Sequence, residues 1–219
     1  MLPPILYFFA ILYLTCALVG AIVVAADLAL YPQKLRVMRW VWAISILYLG
    51  PFGICFYYLH GRNKPAGWLN RWWKRKKTPL WAQTLKSAMQ VTAGFALGNF
   101  IADWLVDMGG FAPFGSVLLD KYVAGLVLAY SGGHLFLYAT VASVRKQSIR
   151  KNMQAVGTGD ILSLGAFEAG LFMWMGFTHY LYPALDGATW DYWFMMQIGA
   201  MIGLAAAYPV NRWLMLRNG

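Results

Sequence analysis

Six apolar stretches without a lysine or arginine, residues 3–30, 40–60, 87–119, 122–144, 152–182 and 191–211, divide this chain. Each is long enough to cross a hydrocarbon core, which takes about 20 helical residues. Lipid offers no partner to a bare backbone N–H or C=O, so such runs must fold as helices that satisfy their own backbones. They are also too long and continuous for the alternating strands, about ten residues each, of an outer-membrane barrel. The expected fold is all-α, a polytopic transmembrane helical bundle of about six spans. Composition agrees, since only 12% of the 219 residues are charged and mean hydropathy is +0.53, against roughly 25% charged in soluble domains.

The charges set an expected orientation. Arg62, Lys64, Arg71, Lys74, Arg75, Lys76 and Lys77 fall between spans two and three. Arg145, Lys146, Arg150 and Lys151 fall between four and five, and Arg212 and Arg217 near the C-terminus, whereas the other loops carry Asp107, Asp120, Asp186 and Asp191. Basic loops stay in the cytoplasm, so with six spans both termini are expected inside, N-in/C-in. Lys34, Arg36 and Arg39 dissent, since that arrangement leaves them outside. Residues 1–26 lack the basic start of a secretory signal and read as a retained first span. Cys16 and Cys55 form no CxxC and read as small apolar core residues.

Residues 1–79 are expected to form two N-terminal transmembrane helices plus a basic, Trp-rich cytoplasmic loop. In "GWLNRWWKRKK", 67–77, Trp72 and Trp73 sit among Arg71, Lys74, Arg75, Lys76 and Lys77. Tryptophan at headgroup level beside snorkelling bases marks an interfacial segment, so the expected partner is an anionic lipid surface rather than nucleic acid. Residues 80–219 are expected to form a four-helix membrane domain. Its packing signals are small-residue stripes at every fourth position: Gly94, Gly98 and Ala102, and Gly199, Gly203 and Ala207. A third stripe, Ala17, Ala21 and Ala25, lies in the first span.

Polar groups at membrane depth are functional candidates because an ionisable side chain there costs at least about 2.5 kcal/mol. His134 and Glu168 fall near the middles of consecutive antiparallel spans and are expected at similar depth, as a proton or metal site or as a structural pair locking two helices. Met175 and His179 share a helical face with Glu168. His179 lies about ten residues, at 1.5 Å each, from the depth of His134, which disfavours a bis-His haem. Met173, Met195, Met196 and Gln197 crowd toward the same outer level, either as core filler or as thioether ligands suited to a soft ion such as Cu(I). No GxSxG, Walker loop, GxGxxG or HExxH is present, and no enzyme is expected.

From residue 80 onward the chain resembles a bacterial membrane family catalogued as domain of unknown function 4396. The resemblance rests on "GDILSLGAFEAGLFMWM" (159–175), "YWFMMQIGAMIGLAAAYPVNRWL" (192–214) and the glycines Gly94 and Gly98. It implies a soft-metal site of the form His-Cys-x-x-Gly-Cys-x-x-Gly-Asp, and a bacterial cytoplasmic (inner) membrane location. At those positions this chain has Gln90, Val91, Phe95 and Asn99, so the family site is degenerate, its thiolates replaced by groups that cannot coordinate. Asp160, Glu168, Gln197 and Asn211 remain, with Tyr208-Pro209 expected to kink or end the last span. Two functions follow as expectations. One is binding or moving a soft, copper-like metal ion or a small cation through Glu168, His134, His179, Met175, Met195, Met196 and Gln197. The other is a non-catalytic accessory or structural subunit docked on other membrane proteins through its small-residue stripes and abundant aromatics.

Overall fold

A computed structural model describes residues 3–33, 35–62, 78–145, 158–185 and 187–218. Among them are six α-helices and no strand: α1 Pro4–Leu30, α2 Val37–Phe56, α3 Leu80–Asp107, α4 Val117–Arg145, α5 Thr158–Leu181 and α6 Trp190–Asn218. A π-helical turn, Tyr57–Gly61, continues α2. This is the all-α bundle expected from the apolar runs. Five of the six helices are long and apolar enough to cross a membrane, consistent with a multi-pass membrane protein. The exception is α3, and its position explains its polarity. Fifteen of its 28 residues are buried, against seven of 27 in α1, and it packs against α2, α4, α5 and α6. Protein rather than lipid covers α3, so Thr84, Thr92, Asn99 and Asp103 are tolerated there. The peripheral α1 instead exposes Phe8, Phe9, Leu12, Leu18 and Ile22.

The small-residue stripes bring backbones together within the chain. A Cβ on Gly94 would stand 2.6 Å from the Gly132 carbonyl oxygen of α4, and one on Gly98 would overlap the backbone of Leu128 and Ala129. On α6, a Cβ on Gly203 would lie 2.8 Å from the Phe167 carbonyl, and one on Gly199 2.8 Å from Leu171, both on α5. Ala102 and Ala207 are fully buried. Interlocking backbones of this kind supply van der Waals packing where lipid removes any hydrophobic drive between helices. In the first span Ala17 and Ala21 are buried, but Ala25 is exposed. Of the two cysteines, Cys16 is half-buried and Cys55 exposed, so the latter is no core residue.

The second apolar run differs from the straight span expected of it. At 1.5 Å per residue, positions 42 and 57 of one helix would lie roughly 22 Å apart, yet the rings of Trp42 and Tyr57 are 5.2 Å apart and those of Trp42 and Phe56 5.7 Å. The chain doubles back at Gly50, whose φ of 53° and ψ of −132° break the helix just before Pro51. Glycine adopts that conformation at little cost, and proline lacks the N–H that would continue the ladder. The hairpin lies along α1 with its tip at Tyr13, whose hydroxyl donates to the Tyr48 carbonyl at 2.9 Å. Gly20 of α1 faces both arms, touching Ile46 and Ile54. Both hairpin ends meet the far end of α1. There Arg62 donates to Asp27 at 2.7 Å, the Tyr57 hydroxyl donates to the same carboxylate at 2.7 Å, and Gln33 donates to the Gly61 carbonyl at 2.9 Å.

The doubled-back run corrects the expected arrangement of the termini. Because α2 begins and ends at the same end of the bundle, the start of α1 and the end of α6 stand at opposite ends, not on one side. Tyr13 of α1 accordingly meets Phe194 near the start of α6, with ring centroids 5.6 Å apart. A second difference is that Pro209 does not end α6, which continues to Asn218. Arg71, Trp72, Trp73, Lys74, Arg75, Lys76 and Lys77 lie outside the described residues, as does the side chain of Asp160.

Candidate functional site

One face of α3 carries Asn99, Asp103 and Asp107 at steps of four residues, a spacing that stacks side chains one turn above another. Each rung bonds to a different helix. Asn99 Nδ2 donates to Glu168 Oε1 of α5 at 2.8 Å, and also to its own Phe95 carbonyl at 3.0 Å. The Tyr192 hydroxyl of α6 donates to Asp103 Oδ2 at 2.5 Å. Lys121 of α4 donates to Asp107 Oδ2 at 2.7 Å and to the Tyr192 hydroxyl at 3.0 Å. Asn99, Asp103, Lys121 and Glu168 are each at most 5% exposed. Buried charge survives only when paired and hydrogen-bonded, so this ladder is a closed solution for most of its members. Two oxygens stand outside it: Glu168 Oε2 and Gln197 Oε1 are buried and have no hydrogen-bond partner among the described residues.

The ladder opens at the Asp107 end into a cavity of about 250 Å³ between α4, α5 and α6. Asp107, Lys121 and Tyr192 form its polar side; Met175 and His179 of α5, and Met195 and Met196 of α6, line another part of it, with Trp174 beside them. Helix starts fix this end: the Thr189 hydroxyl accepts the Tyr192 N–H at 3.3 Å, and Asp120 Oδ1 in the first turn of α4 accepts the Phe114 N–H at 2.9 Å. Trp174 Nε1 donates to the Met195 carbonyl at 2.9 Å, holding α5 to α6 at the cavity wall.

Four of the seven expected ion-site residues, Met175, His179, Met195 and Met196, therefore meet at one cavity. Glu168 and Gln197 do not line it. The expected His134–Glu168 pair is not made. His134 Nδ1 is 2.9 Å from the Tyr130 carbonyl of its own helix and its ring lies against Tyr130, 4.0 Å between centroids. Glu168 takes Asn99 instead, because α3 runs between the helices and presents an amide donor. Lys121 and Tyr192 escaped the sequence reading altogether. The four-residue repeat of Asn99, Asp103 and Asp107 was the signal available, since it announced a polar stripe that needed partners.

The degenerate positions on α3 do not form a metal site. Val91 and Phe95 are buried and offer no donor atom. The Phe95 ring fills the space at Gly133, where a Cβ would overlap it, and packs 6.0 Å from Phe167. Aromatic packing thus fills the space around Phe95, while Gln90 is half-buried and Asn99 is committed to Glu168. Among the described residues no group of three or more His, Cys, Asp or Glu side chains could hold a metal ion.

No curated protein and no solved structure matches the chain. A family model does match, over residues 80–219, beginning at the first residue of α3 and taking in the whole ladder and cavity. The chain belongs to the family described as domain of unknown function (DUF4396).

Proposed function

We propose that the protein binds a soft monovalent metal cation of the Cu(I) class, as cargo, in the cavity at the Asp107 end of the bundle. The observation that carries this reading is the convergence of three thioethers, Met175, Met195 and Met196, with the imidazole of His179 around one cavity. Thioether and imidazole donors select soft ions over Mg²⁺ or Ca²⁺, which require oxygen ligands. Lys121 is neutralised by Asp107, so it does not leave an uncompensated positive charge at the entrance. Beyond it lie Asp103 and Glu168, buried carboxyls that accept hydrogen bonds from Tyr192 and Asn99. The alternative of a docking subunit rested on small-residue stripes seeking a foreign helix. On α3 and α6 those stripes are covered by α4 and α5 of the same chain, so they do not supply that alternative with a docking face.

The test is competition between the purified protein in mild detergent and a colorimetric Cu(I) chelator under reducing conditions. The expected result is near-stoichiometric binding that weakens about tenfold or more with His179→Ala, and again with Met175→Leu, each tenfold being 1.4 kcal/mol. Binding equal in the wild type and the double variant would sink the proposal, as would no binding above background.

A further inference from the structure

We infer that the chain crosses the membrane five times, by α1, α3, α4, α5 and α6, with the hairpin 37–61 entering and leaving on the cytoplasmic face, so that the start of α1 and the Met/His cavity face the opposite, extracytoplasmic side. The inference stands whatever the cavity binds.

The hairpin geometry comes first. Its tip at Gly50 reaches only to Tyr13, roughly half-way along the 27 residues of α1, and its second end returns to Asp27 and to Trp42 of the first arm. Its arms, residues 37–49 and 51–61, are each too short to cross, since about 20 helical residues are required. Lipid tolerates such a bend only where protein covers the freed backbone groups. Here the Tyr13 hydroxyl donates to the Tyr48 carbonyl, Tyr48 itself is fully buried, and its own hydroxyl lies 3.5 Å from Thr92 Oγ1 of the central helix.

Charge distribution comes second and is independent. With the hairpin in place, both ends of the hairpin, the start of α3, the end of α4, the start of α5 and the end of α6 all stand at one end of the bundle. Among the described lysines and arginines, only Lys121 stands at the other end, and it is consumed by Asp107; in the sequence, Lys64, Arg71, Lys74, Arg75, Lys76, Lys77, Lys146, Arg150 and Lys151 all fall between helix ends of the first group. Asp103, Asp107, Asp120 and Asp191 gather at that other end. Basic connections remain in the cytoplasm. Arg36 and Arg39, which a straight second span would strand outside, now lie at the same end as Arg62, Arg145 and Arg217. Two unrelated signals, a backbone reversal and a charge count, give one answer.

The experiment uses single cysteines in a Cys16→Ser, Cys55→Ser background, probed with a membrane-impermeant maleimide in intact bacterial cells and again after permeabilisation. Pro3→Cys and Ser116→Cys are expected to label in intact cells, and Leu35→Cys only after permeabilisation. A C-terminal fluorescent protein reports insertion of each variant, and Arg36→Cys reads the same connection as Leu35→Cys should that variant fail to insert. Labelling of the 35–36 connection in intact cells would overturn the inference. Protection of Pro3→Cys or Ser116→Cys until permeabilisation would overturn it equally.

Discussion

Asn99 of α3 and Glu168 of α5 are joined by a 2.8 Å hydrogen bond at the centre of the bundle, donated by the amide and accepted by the carboxyl. The bond holds the one glutamate buried in the described helices. Removing the donor leaves Glu168 with neither oxygen bonded, so Asn99→Leu should cost about 1–3 kcal/mol, the penalty for an orphaned buried polar group. Thermal unfolding in detergent checks this. Because the cost lies in the orphaned carboxyl, Asn99→Leu should be much milder in a Glu168→Leu background; equal costs in both backgrounds would show that the bond is not what the amide contributes.

The approach of α3 to α4 leaves no room for side chains at two positions. Gly94→Ala puts a methyl 2.6 Å from the Gly132 carbonyl oxygen, and Gly98→Ala drives one into the backbone at Leu128 and Ala129. Each should destabilise the protein by about 1–3 kcal/mol, the usual cost of overpacking. Gly165→Ala, whose added methyl meets nothing within 4 Å, is the control and should not lower the melting temperature, since alanine is the better helix former.

The reversal at the hairpin tip rests on Gly50. A β-branched residue there pays for a φ of 53°, of order 1–3 kcal/mol, and a Cβ would also meet the Tyr13 ring at 2.6 Å. Gly50→Val should therefore lower stability more than either change at the α3–α4 contact. Its signature would be loss of protection at the other hairpin end, where Arg62 and Asp27 pair at 2.7 Å with side chains only 10% and 12% exposed. Hydrogen exchange across residues 51–62 measures that opening.

At the cavity, Lys121→Gln removes the cation that neutralises Asp107 and keeps a hydrogen-bonding group near Tyr192. If the cavity takes a cation, the freed carboxylate should tighten Cu(I) binding by about tenfold, well within the few kcal/mol available to charges 4 Å apart at a partly shielded site. The same variant should melt earlier, because Asp107 is left buried without its partner. Unchanged or weaker Cu(I) affinity would count against a cation as the cargo.

Much of this protein was determined by its sequence alone. The length of the apolar runs dictated helices, because lipid leaves the backbone no other way to satisfy its hydrogen bonds. The four-residue spacing of Gly94 with Gly98, and of Gly199 with Gly203, marked the faces where helices meet. The clustering of Met175, His179, Met195 and Met196 at one level was visible because each position's depth follows from counting residues along a helix. Which helix each face meets was decided only by tertiary structure. A run of 21 apolar residues reads as a span whether it is straight or folded in two, since hydropathy is blind to direction; only the contacts of Trp42 with Tyr57 and of Tyr13 with Tyr48 reveal the reversal. Depth likewise brought His134 and Glu168 to one level but not to one azimuth. The partner of a buried carboxyl is set by which helix stands beside it, and α3, central and lined with Asn99 and Asp103, took that place.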